Sequence, residues 1–162
     1  MKKIIPFFLL LSVFLNVGLI YKFFYAGETV SLAKDGRSEI KMTPENREYV
    51  MAEMRGSLER IQKINEGSAK DDATIIEKVG QESGSDKVDG VPKGLVKSLP
   101  LGFKKMGFET HELFDVMAKM AQENYDRQQT QEKLNQLLNN CVACHKTYKI
   151  SVLSINEIIN PQ

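Results

Sequence analysis

The chain has only two cysteines, and they stand three residues apart with a histidine directly after the second: Cys141, Val142, Ala143, Cys144, His145. A C-x-x-C-H run is the attachment signature of c-type haem. The spacing has a chemical reason. Two thiols that add to the two vinyl groups of one porphyrin must lie about a helical turn apart on a common face. An imidazole next to the second thiol then reaches the iron from below. Because both cysteines and one of only two histidines fall within five residues, a chance grouping is the weaker reading. Two chemical rivals also lack their setting. A dithiol catalyst wants its C-x-x-C at a helix N-terminus in a βαβ context, whereas this pair lies late in a helical stretch. A zinc site wants a fourth strong ligand, and only His111 remains besides carboxylates.

The N-terminus is the second strong constraint. Lys2 and Lys3 precede an apolar run from Ile4 to Ile20, broken only by Ser12, Asn16 and Gly18 and extended past Lys22 by Phe23, Phe24 and Tyr25. A cleavable signal has a shorter apolar stretch and a small-x-small cutting site, but bulky Phe24 lies two residues before Ala26, the one plausible cut. Ile4 to Tyr25 approaches the ~20 residues that a transmembrane helix needs. We therefore expect residues 1–26 to be an uncleaved anchor, with a removed signal as the alternative. The positive-inside rule puts Lys2 and Lys3 in the cytoplasm and the rest outside, which is the periplasm in a Gram-negative cell.

Charge excludes one class. There are 22 Lys+Arg against 21 Asp+Glu, and the first 26 residues hold three lysines and no acid, leaving 19 against 21 in the remainder. That balance lacks the basic face that nucleic-acid binding requires.

After a polar stretch, 27–42, read as a tether, Thr43 and Pro44 form a helix start. Met51, Met54, Leu58 and Ile61 then recur at helical spacing, predicting a first helix to about Asn65, ended by Gly67. A shorter helix follows with Ala73, Ile75, Ile76 and Val79, then a glycine-rich connection over 80–97. A third helix starts near Pro100 and carries Phe103, Met106, Leu113, Phe114, Met117, Met120 and Ala121. The fourth runs from about Gln128 through the haem motif to Tyr148. With no alternating strand pattern, the expected fold is all-α: an antiparallel up-down-up-down four-helix bundle over 43–150, with 151–162 as a tail. Residues 150–159 (ISVLSINEII) are apolar enough to cap that bundle or to meet a partner.

A haem motif in the last of four helices resembles the cytochrome c′ family over residues 43–150. Tyr148, three residues after His145, matches the family pattern, and Lys149 stands where the family usually has Arg, near the proximal imidazole. Arg47 stands four residues before Met51 and seven before Met54. The resemblance implies that Arg47 approaches a haem propionate and that Met51 faces the distal side of the iron. The residues themselves agree in part. Arg47, one heptad before Met54, continues the apolar stripe, where a charge needs an anionic partner; the alternative is a packed stem with its head in water.

Met51 separates two functions. A thioether on the iron would give a six-coordinate His145/Met51 centre of raised potential, suited to one-electron transfer between redox partner proteins. Met54 would pack against the porphyrin edge. If Met51 only fills space, the iron is five-coordinate and open to nitric oxide or other small gases. A haem-bearing, membrane-proximal sensor or interaction module is a third reading. None of these breaks a bond in a substrate, so no enzyme is expected. His111 lies off the main stripe of its helix and reads as a partly exposed surface residue, with distal ligation the lesser alternative. A homodimer through the first two helices is compatible with the pattern.

Overall fold

A computed structural model describes residues 4–22, 30–87 and 90–159. The chain is mostly helical and carries a small three-stranded sheet.

Helix α1, Ile4–Ile20, takes up most of the expected anchor, and its large apolar side chains from Ile5 onward are exposed. It has 17 residues, and among the described residues no helix is long and apolar enough to cross a membrane. Residues 23–25, which complete the expected span, lie outside the described residues.

The stretch read as a tether is folded from Ser31 onward. Strands β1, Ser31–Leu32, and β2, Ser38–Met42, form a short antiparallel hairpin. Gly36 supplies a positive φ of 82° in its turn, where a side chain would be strained. β2 buries Ile40 and Met42 and exposes Lys41 between them, so its pattern does alternate, over too few residues to register as a strand.

Helix α2 spans Pro44–Lys70, and Thr43 caps it as expected, its hydroxyl accepting from the Asn46 N–H at 3.3 Å. It passes through Gly67 instead of ending there. The reason is packing. A Cβ on Gly67 would meet Ile76 Cγ1 at 2.9 Å, so the missing side chain lets the next helix approach. The stop comes at Asp71, in the left-handed region, and Asp72 then caps helix α3, Ala73–Gln81. The connection that follows holds a 3₁₀ turn, Ser85–Lys87, and a short helix α4, Leu95–Ser98. Helix α5 is Leu101–Asn124 and helix α6 is Arg127–Thr147.

Helices α2, α3, α5 and α6 share one apolar core. Ile64 comes from α2, Ile76 and Val79 from α3, Phe114, Met117 and Ala121 from α5, and Leu134 and Leu137 from α6. Fully burying each of the larger side chains stabilises the fold by ~1.5–3 kcal/mol.

Instead of ending after α6, the chain turns directly into strand β3, Tyr148–Val152, which pairs in parallel with β2 from Ser38↔Tyr148 to Met42↔Val152. The all-α expectation omitted this sheet. A second apolar cluster seats it on the helices, joining Ile40, Met42, Val50, Leu95 and Leu99, with Met51, Met54, Phe103, Tyr148 and Ile150 packed around them. A terminal helix α7, Ile155–Ile159, completes the described chain.

Candidate haem site

Helix α6 places the C-x-x-C-H run in its last two turns. The three-residue spacing brings both thiols to one side. Cys141 and Cys144 are partly buried, with Cys141 packed against the main core, while Val142, Ala143 and His145 face solvent. Both cysteines are free thiols. Burial pushes each thiol above its ordinary pKa, and Cys141 adds a smaller upward push on Cys144. A dithiol catalyst needs the reverse, a thiolate stabilised by a helix N-terminus or a cation. Among the described residues no group of three or more His, Cys, Asp or Glu is arranged to hold a metal ion.

His145 sits where the helix ends, and two backbone carbonyls there meet a single side chain. Arg37, in the β1–β2 turn, donates through Nη1 to the carbonyls of His145 at 3.2 Å and Tyr148 at 3.3 Å. Its Nη2 pairs with Asp35 at 2.7 Å. That hydrogen bond, followed by a second from the Arg37 backbone N–H, holds the Asp35 carboxyl below its ordinary pKa. A cation at a helix C-terminus also complements the macrodipole. The His145 ring makes no hydrogen bond among the described residues, which leaves its nitrogens available.

Tyr148, the family-like residue after the motif, packs edge-on to Phe103 with ring centroids 5.5 Å apart. A Cβ on Gly102 would lie 2.5 Å from its hydroxyl, so a side chain there would require the tyrosine ring to shift. Burial, and then the nearby Cys144, raise the Tyr148 phenol pKa. Lys149 is half-buried in β3 opposite Glu39.

Arg47 and Met51 are brought together. With Pro44, Glu48, Arg55 and Val152 they line an open cavity of ≈ 470 Å³. Val152 comes from the strand that follows the haem motif, but Cys141, Cys144 and His145 are not in the lining. Met54 is not in it either and packs with Met51 in the second apolar cluster. His111 stands apart from the site. Its Nδ1 lies 2.8 Å from the Ser83 carbonyl, which can only accept, so the ring ties the connection after α3 to α5.

The donor set fits a covalently held haem: two free thiols on one side of a helix, with an unengaged imidazole beside them. Sequence reasoning missed Arg37 and Arg55. Arg37 left no local signal, since it binds backbone carbonyls more than 100 positions away. Arg55 was visible in principle, because Arg47, Met51 and Arg55 repeat every four residues along one face.

No protein-family model, no curated protein and no solved structure matches this chain.

Proposed function

We propose that this chain is a periplasm-facing c-type cytochrome, tethered to the membrane by residues 4–25, that transfers single electrons between partner proteins. In this reading α2, α3, α5 and α6 form an antiparallel four-helix bundle of the cytochrome c′ kind, for which their shared core is the support. The observation that carries the reading is the pair of free, partly buried thiols of Cys141 and Cys144 one turn apart on α6, followed directly by His145. Cys141 and Cys144 would hold the macrocycle and His145 would ligate the iron. When bound, the haem supplies a metal centre that changes charge by one electron without breaking a bond.

The chain's own residues do the tuning. Arg37 holds the end of α6 and with it the backbone that carries His145. Arg47 neutralises a propionate at the edge of the cavity that it lines with Met51. Met51 would offer the iron a thioether as a second protein ligand, which would favour the reduced state. Tyr148 and Met54 would pack around the group, and Lys149 would add a positive charge near His145. The test is the optical spectrum of the reduced protein before and after CO. A low-spin spectrum indifferent to CO supports electron transfer.

One observation favours the gas-binding reading. Met51 also packs in the apolar cluster with Met54 and Tyr148, and a sulfur retained there would leave the iron five-coordinate and open to nitric oxide. A high-spin spectrum that changes with CO selects that function.

A further inference from the structure

Helix α7 turns its apolar residues outward. Ile155, Ile158 and Ile159 are 75%, 47% and 69% exposed, and their i, i+3, i+4 spacing gathers them on one face. One polar residue of the same helix, Glu157, is tied to the sheet, while Asn156 is exposed. Glu157 pairs with Lys41 of β2 at 2.5 Å, and it closes a reciprocal cap in which its carboxylate accepts from the Ser154 N–H at 2.8 Å. A surface helix ordinarily does the reverse, burying its apolar stripe and exposing its charges. Val152, just before α7, is a further exposed apolar residue, at 44%.

The course of the chain says what covers this face. β1 runs antiparallel to β2 with Ser31 opposite Glu39, so the chain enters the sheet from the side of Lys41, the residue that holds α7. From Tyr25, where the N-terminal apolar run ends, to Val30 is five residues, at most ~18 Å of extended chain. A bilayer that holds the N-terminal segment would thus lie within that reach of the sheet end where α7 is fixed. An apolar helix face kept so near the acyl boundary partitions into it, with the short connection maintaining a high effective concentration.

We propose that the Ile155, Ile158 and Ile159 face of α7 is a second membrane contact that rests in the lipid surface and fixes how the domain is oriented on it. The inference depends on residues 4–25 being a membrane anchor and is independent of haem.

The chain contains no tryptophan, so an introduced one reports alone. The full chain carrying Ile158→Trp, Ile155→Trp or, as a control on an exposed position of α5, Val116→Trp is reconstituted into phosphatidylethanolamine and phosphatidylglycerol vesicles, with or without brominated acyl chains. Flotation is measured first and fluorescence second. Brominated lipid should quench Ile158→Trp and Ile155→Trp roughly twofold or more, as for indoles at the headgroup boundary, and leave Val116→Trp unchanged. Vesicles that float with the protein but quench all three variants equally overturn the α7 contact while leaving the anchor standing. A concentration-dependent blue shift in detergent, without quenching by brominated lipid, assigns the face to a second copy and also overturns it. Failure to float overturns the anchor and the contact together.

Discussion

The guanidinium of Arg37 donates to the backbone carbonyl of His145 across 108 positions of sequence, at 3.2 Å. The residue that carries the proposed iron ligand is thereby held by a turn from the other half of the chain. Arg37→Ala removes this bond and the one to Tyr148. Because the Arg37 side chain and its bond to the His145 carbonyl are solvent-exposed, the cost should be a small fall in the unfolding midpoint, below that of a buried charged hydrogen bond. Denaturant unfolding measures it. Arg37→Lys keeps the helix-end charge without the fork and should recover less than half of the loss.

At Gly80, α3 packs tightly on α5. A Cβ there would lie 2.7 Å from both the Ala118 Cβ and the Phe114 carbonyl oxygen, and the latter is backbone that cannot swing away. Gly80→Ala gains up to ~1 kcal/mol of helix propensity but overpacks a site that costs ~1–3 kcal/mol or more. A net destabilisation of ~1–2 kcal/mol is expected from the difference between these terms, read as a lower denaturant midpoint with an unchanged slope.

Glu157 titrates at about 2 instead of 4.5, chiefly through the hydrogen bond from Lys41 and then through those from Ser154. A depressed carboxyl stabilises the fold when ionised, so its contribution is complete above pH ~4.5 and is lost as pH falls through ~2. Carboxyl NMR titration should give a Glu157 midpoint near that lower value. Lys41→Met should raise the midpoint towards 4.5, while the Asp35 carboxyl, held by Arg37, stays depressed.

Met51→Leu nearly conserves volume and should cost less than ~1.5 kcal/mol of packing. It should also convert a low-spin, CO-indifferent spectrum into a high-spin, CO-reactive one and lower the potential. Met54→Leu, which lies outside the cavity lining, should cost as little and leave the spectrum intact.

The parts of this molecule that depend on neighbours in sequence were legible without coordinates. Thr43 followed by Pro44 marks the start of α2, Pro100 marks that of α5, and the C-x-x-C-H run is chemically self-contained. Long-range features were not. β2 is five residues whose partner, β3, stands more than 100 positions later, and no local pattern announces a parallel pairing of that length. Glycine commonly ends helices, which makes Gly67 an expected stop, yet here it serves the approach of Ile76. The apolar run 150–159 stands out in the sequence, but its division into a half-buried strand and an outward-facing helix depends on where Met42 and Lys41 lie.

Mass spectrometry of the denatured protein, isolated from the periplasmic side of cells that make c-type cytochromes, tests the central claim most directly. Thioether bonds survive denaturation and acid-acetone extraction. The account predicts a polypeptide carrying the mass of one haem, with Cys141 and Cys144 both unreactive to alkylation. Polypeptide mass alone, with haem absent or extracted and both thiols alkylated, would contradict it.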